Sequence, residues 1–205
     1  MKIDLSQSQL KQARRRDWRK VADITAEAFA DDPVNRWVFG SPRAIQSAFR
    51  VMMREMYLKH GQCYLHGDDG ATAWLAPGTD APFTGWTGLQ FALGQARFGS
   101  KGAMKRASRL GEIMAEHHPE TPHMYLFTIG SAQAARGKGV GKALLAPVLA
   151  ACDAQSVPVY LENSNPVNSG FYGAHGFERM GLFEVGEGGP VMEPMWRAPK
   201  ISASL

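Results

Sequence analysis

Residues 129 to 143 read IGSAQAARGKGVGKA, and the six from Arg136 to Gly141 hold three glycines and two cations. An apolar run precedes them and a helical pattern follows, so Gly137, Gly139 and Gly141 fall where a strand passes into a helix. Backbone amides freed at a helix N-terminus, with the positive end of the helix dipole, form a concave site for phosphate oxygens. Glycine suits that site because the backbone must approach the anion closely and take positive φ. Lys138 and Lys142 add positive charge, and the segment reads as a pyrophosphate cradle. A dinucleotide fingerprint, G-x-G-x-x-G/A, fails at Lys142 when read from Gly137 and at Leu144 when read from Gly139. A Walker A loop fails too: ahead of Gly141-Lys142 its first glycine would be Arg136, and its hydroxyl residue would be Ala143.

The elements around the loop follow from local signals. Met124 to Ile129 is a short apolar run between Pro122 and Gly130, a strand buried on both faces. Gly139 to about Ala154 is a helix, with Val140, Leu144, Val148 and Cys152 along one stripe. Val157 to Leu161 is a second buried strand, and a crossover of this length makes the two strands parallel. Upstream, Asp17 to Ala30 has helical spacing with Asp17 as N-cap, and Asp31-Asp32-Pro33 stops it. A helix runs from Pro42 to about Lys59. Gln62–His66 and Ala71–Leu75 form a hairpin about Gly67-Asp68-Asp69-Gly70. Residues 79–120 read as two helices parted by glycines, a basic and aromatic insertion that covers the acceptor side of the sheet. A short helix at Val167–His175 and strands near Phe177–Val185 and Val191–Arg197 close the chain. The fold class is α/β with a mixed, partly parallel sheet flanked by helices.

The chain has 205 residues, of which 44% are hydrophobic and 20% charged, average for a globular protein. This length suits one domain over 1–205, with residues 1–10 as a leader. The longest apolar run, Ala143–Cys152, is about half a bilayer span, and no apolar stretch follows the N-terminal charges as in a secretory signal. Cys63 and Cys152 lie far apart and form no metal cluster, so a reducing, cytoplasmic setting is expected. With no H-x-E or HExxH pattern, no metal is expected either. The net charge is +4. Residues 1–20 sum to +5, seven cations against Asp4 and Asp17, and the rest of the chain to −1, so the arm could grip phosphates. It lacks interleaved aromatics and no nucleic-acid motif follows, so it reads as a solvated leader and no nucleic-acid partner is expected.

Arg136, Gly139 and Gly141 occupy the defined positions of [QR]-x-x-G-x-[GA], and the loop resembles the acyl-CoA loop of the GNAT superfamily of N-acetyltransferases. A second GNAT signature follows in Asn168, Phe171-Tyr172 and Gly176-Phe177. Further stretches look like the puromycin N-acetyltransferase branch: AFADDP at 28–33, AWLAPG at 73–78, YLFTIG at 125–130, YLENSNP at 160–166 and EVGEGGPVMEPMWR at 184–197. Pro147 inside the long helix is shared as well. The resemblance spans about residues 10–198. Gln133 departs from the branch's usual proline and Ser131 from a usual valine, which would soften the approach to the loop.

The resemblance implies direct transfer of an acetyl group from acetyl-CoA to a small-molecule primary amine. It implies cofactor contacts from Thr128, Ile129, Gly130 and Ser131 on the strand and from Arg136, Gly137, Lys138, Gly139, Val140, Gly141 and Lys142 in the loop, with an oxyanion donor near Thr128–Gly130. Asn168 would touch CoA, and Tyr172 would donate to the departing thiolate, the alternative being a packed aromatic beside Phe171. Glu162, at the end of the second parallel strand where α/β sheets gather ligands, is the candidate base. His123 is its alternative, and His117, His118 and His175 sit in turn-like contexts. Asp31, Asp32 and Trp37 on one side, and Trp74, Phe83 and Trp86 on the other, could cradle an aromatic or cationic amine. Core packing competes for Trp74, and capping for the aspartates. A protein amine as acceptor, a CoA-binding sensor and a silent interaction module are the other readings. The chain is expected as monomer or homodimer.

Overall fold

The computed structural model describes residues 8–200 together with Ile3, Leu5 and Ser6. The expected leader over residues 1–10 therefore lies partly outside the described residues. The order is β1 (Leu10–Gln12), α1 (Trp18–Ala28), α2 (Pro33–Phe39), α3 (Pro42–Met52), α4 (Leu58–His60), β2 (Gln62–His66), β3 (Gly70–Leu75), α5 (Gly85–Phe98) and α6 (Ala103–His117). Then come β4 (Met124–Ser131), α7 (Val140–Ala154), β5 (Val159–Asn163), α8 (Ser169–Ala174), β6 (Glu178–Arg179), β7 (Phe183–Glu184) and β8 (Val191–Arg197). The sheet order is β1-β2-β3-β4-β5-β8-β6, with β7 beside β8. The β4–β5 pair is parallel and the other pairings among the described residues are antiparallel.

Alternation along the strands splits the core in two. Cys63 and Leu65 of β2 and Ala71 and Ala73 of β3 face α1, α2, α3, α5 and α6. Tyr64 and Trp74 point to the other face and pack with the Val140, Leu144 and Val148 stripe of α7. Both cysteines are buried and free, and burial pushes each thiol up to about 12.

Several boundaries differ from the sequence expectation. Asp31-Asp32-Pro33 ends α1 but also starts α2, because Asp32 caps it, accepting from the Asn35 amide at 2.9 Å, and Pro33 sits at its first turn. Asp17 stands at the N-cap of α1, yet its carboxylate turns back to accept from the Arg14 amide at 2.8 Å. The helix expected from Pro42 to Lys59 forms with a π-helical turn at Met53–Tyr57 inside it. The glycine-parted pair over 79–120 is α5 and α6. β5 starts two residues later than expected and reaches Asn163, and the strand expected over Phe177–Val185 is broken about Gly181 into β6 and β7.

Candidate active site

The parallel pair that the crossover creates is short. β4 and β5 register only at Met124↔Val159 and Tyr125↔Tyr160. Past that point β5 stays paired to β8 through Asn163, while β4 stays paired to β3. A bulge separates them further: Ala73 opposes Thr128 and Trp74 opposes Leu126, so Phe127 is left over and bends β4. The Phe127 ring stacks on Tyr57 from the π-helical turn, centroids 4.0 Å apart and nearly parallel. Between the diverging strands opens a cavity of about 550 Å³, with Thr128 and Ile129 on one wall and Glu162, Asn163 and Ser164 on the other. Asn168 and Tyr172 line it from the α8 side.

Glu162 sits at the fork. Its side chain is 2% exposed, and its Oε1 has no hydrogen-bond partner. Burial pushes the phenols of Tyr57, Tyr125 and Tyr160 upward, and the nearby Glu162 carboxylate adds to each shift. His118 Nδ1 stands 3.7 Å from Oε1, and His118 Nε2 lies 3.1 Å from His123 Nε2. His123 Nδ1 lies 2.7 Å from the Thr121 carbonyl, so that nitrogen carries the proton. In the neutral state His123 Nε2 then accepts from His118 Nε2, which leaves His118 Nδ1 facing the carboxylate as an acceptor. One proton shared between His118 and Glu162 would satisfy both. Burial holds the His123 imidazole below its usual value.

The glycine loop has the geometry its sequence suggests. Gly137 and Gly139 take φ of +75° and +79°, and Gly139 caps α7. Among the described residues the amides of Gly137, Gly139, Val140, Gly141 and Lys142 find no backbone acceptor, whereas Ala143 already bonds to the Gly139 carbonyl. A Cβ on Gly141 would meet the Phe171 ring at 3.0 Å, so a side chain there would push the ring back by a few tenths of an ångström. The expected softening at Gln133 does not occur. Its N–H, which proline would lack, donates to Glu27 Oε1 at 2.7 Å, and Arg136 reaches the Ala28 carbonyl at 3.4 Å. Both contacts tie the loop to the end of α1.

A sequence profile described as the acetyltransferase (GNAT) family matches residues 54–177, more than half of the chain. The chain belongs to the GNAT acetyltransferase family. An uncharacterised N-acetyltransferase of Schizosaccharomyces pombe is 26% identical over 184 residues, 82% of this chain and 73% of that one. A crystal structure described as histone acetyltransferase HPA2 and related acetyltransferase, from Corynebacterium glutamicum, superposes with a TM-score of 0.67 at 22% identity, over 95% of this chain and 98% of that one. A GCN5-related N-acetyltransferase from Rhodopseudomonas palustris gives a TM-score of 0.56 at 10% identity, over 97% and 98%. At such identities the structures speak for the fold, which is that of the GNAT acyltransferases. GNAT enzymes take their acetyl group from acetyl-CoA, and the five unpaired amides of the loop are a chemical match for its pyrophosphate.

In this GNAT chain Tyr172 is 8% exposed, its ring edge-on to Phe171 and Phe177. Burial, with a smaller contribution from the Asp32 carboxylate, pushes its phenol well above the ordinary value. At neutral pH it therefore keeps its proton. Asp32, expected in the acceptor cradle, instead caps α2 and accepts from Ser164 Oγ at 2.5 Å, tying α2 to the end of β5. Burial raises its carboxyl, against the pull of those hydrogen bonds. Asp31 is exposed. Trp37 packs against the core beneath the Arg106 guanidinium and does not reach the cavity. Trp74 is fully buried on the α7 face, away from the cavity, because β3 alternation turns it there. Trp86 is exposed, and of the aromatics expected in the cradle Phe83 lines the cavity.

His117 and His175 bond back to carbonyls four residues earlier in α6 and α8, at 2.8 and 2.7 Å, and serve the helix ends. Sequence reasoning ranked His118 low, and only the fold brings it to Glu162. It also passed over Asn163, 2% exposed, which donates to Glu193 Oε2 at 2.9 Å and Ser169 Oγ at 3.2 Å and so fixes β5 to the start of α8. Glu193, set between Met192 and Pro194 inside β8, was the available signal.

Proposed function

We propose that this GNAT enzyme acetylates a primary amine of a small molecule, in the manner of the puromycin N-acetyltransferase branch its motifs resemble. The observation that carries the reading is the fork of β4 and β5, where Glu162 and Tyr172 line one cavity and Phe171, next to Tyr172, meets Gly141 of the loop. The loop from Arg136 to Lys142 would hold the pyrophosphate of acetyl-CoA, and Thr128 to Ser131 with Asn168 would run along its pantetheine arm. Glu162, buried beside the Tyr125 and Tyr160 phenols, takes the ammonium proton and shares it with His118, whose side chain is 37% exposed and leads to solvent. The free amine attacks the thioester carbonyl, and the oxyanion is met by a β4 amide near the bulge. The C–N bond forms, the C–S bond breaks, and the Tyr172 hydroxyl protonates the departing sulfur.

A cavity walled by α3, α5 and α6 suits a free small molecule better than a side chain on a folded protein. The reading also takes the chain as one domain acting in the cytoplasm, as monomer or homodimer; among the described residues no helix is long and apolar enough to cross a membrane.

The test is the unfolding midpoint with acetyl-CoA, CoA, NADH and ATP in parallel, followed by thiol release with added amines. At 100 times the dissociation constant a native-state ligand adds about 2.7 kcal/mol. Shifts with acetyl-CoA and CoA alone, then amine-dependent thiol release, support the enzyme. A shift without release from any amine favours a CoA sensor, and no shift at all discards the loop assignment.

A further inference from the structure

Beyond the fork, the cavity extends into a chamber between the β4 bulge and the helices. Its composition is unusual for a site that must take an ammonium ion. Five of the ten methionines in the chain line the cavity (Met52, Met56, Met104, Met114 and Met192), and so do six of its ten phenylalanines. Among the described residues that line it, only Glu162 is charged. The cations of α6 turn elsewhere: Lys105 is exposed, Arg106 bonds to the Val38 carbonyl, and Arg109 pairs with Glu112. The aspartates that would hold a second positive charge are also unavailable, since Asp31 faces solvent and Asp32 caps α2.

The geometry points to an acceptor with a single amine on an aliphatic or aromatic body, and to discrimination against polyamines and lysine side chains. The inference rests on the acetyltransferase reading of the same site and adds the substrate class. One carboxylate at the fork can neutralise one ammonium. A second ammonium would lose its water in the chamber and meet no second carboxylate among the described residues, and the peptide amides flanking a lysine would exchange water for the few neutral polar groups there, Asn35, Ser108 and Thr128 among them. Thioether and phenyl side chains reward apolar contact instead, and methionine's unbranched chain lets one chamber fit several shapes. The enzyme is therefore broad in the carbon skeleton it accepts and strict about charge.

The experiment is a series of n-alkylamines from propylamine to heptylamine, with phenethylamine, putrescine and an Nα-acetyl-lysine amide beside them. Each is assayed by CoA thiol release and by calorimetric binding to the full chain. The alkylammonium ions have nearly the same acidity, so differences along the series report contact and not protonation. Each buried methylene is worth about 0.8 kcal/mol, so kcat/KM should rise about fourfold per carbon until the chamber is full. Putrescine should fall at least tenfold below butylamine. Met104→Glu, at a side chain 41% exposed and so tolerant of charge, should narrow that gap by about tenfold. Equal rates for putrescine, the lysine amide and the alkylamines, with acetyl transfer intact, overturn the chamber assignment and leave the enzyme reading standing. Chain-length-dependent binding without thiol release does the reverse. Neither binding nor release overturns both.

Discussion

Replacing Tyr172 by phenylalanine separates a chemical role from a packing role, because the structure assigns the ring and the hydroxyl to different neighbours. The ring is held edge-on by Phe171 at 5.3 Å and Phe177 at 5.9 Å, contacts that phenylalanine keeps. The hydroxyl lies at the cavity and bonds to no described side chain or backbone group, so its removal orphans no partner. Stability should then stay within about 0.5 kcal/mol of the parent, the ordinary range for a substitution that breaks no network. Loss of a positioned general acid costs about 10²- to 10⁴-fold in rate, or about 2.7 to 5.4 kcal/mol of transition-state stabilisation. We expect kcat for hexylamine to fall by at least 100-fold while KM for acetyl-CoA changes by less than threefold. Burial keeps the phenol protonated, so the ratio of parent to variant rates should be flat from pH 6 to 9. The assays are thiol release at saturating acetyl-CoA and urea unfolding of both proteins. A kcat within threefold of the parent refutes the role outright. A ratio that grows with pH would mean the phenolate is the working form, against the effect of burial.

Three further outcomes follow from the same geometry. Glu162→Gln keeps the shape of a side chain that is 2% exposed, so it should fold normally while kcat/KM drops by at least 100-fold at pH 7; near-parent activity with long alkylamines would move the base elsewhere. Asp153 accepts both guanidinium nitrogens of Arg197 at 2.7 Å and the Lys200 amide, and Arg197 is 3% exposed, so Asp153→Ala strands a buried cation and should lose about 3 to 5 kcal/mol in urea unfolding; a loss under about 1 kcal/mol would contradict that account. His123 is held below its usual 6.5 by burial, so the unfolded chain binds a proton that the folded one refuses; its contribution to stability is complete above about 6.5 and shrinks as pH falls below it, and His123→Asn should flatten stability between pH 5 and 7.

Much of this site is written in consecutive residues. The glycine loop, the crossover about α7, the β2–β3 hairpin and the paired helices α5 and α6 were legible because turn residues, caps and periodicity act over a few positions. Positive φ at Gly137 and Gly139 is a property of that loop alone. Short-range signals also misled: Asp31-Asp32-Pro33 stops one helix and starts another, and a reader of the stop overlooks the start. What only the tertiary structure decided is the fork. Its depth depends on β5 following β8 while a bulge at Phe127 turns β4 away, and those partners lie 27 or more residues distant. The same distance hides the pairing of His118 with Glu162 and the turning of Trp74 into the opposite core. The sequence by itself determined the family and the glycine loop at the start of α7, since both depend on local backbone chemistry. The walls of the cavity were decided by which apolar faces of α3, α5 and α6 meet over the fork, and packing between distant segments leaves no mark on the spacing within any one of them.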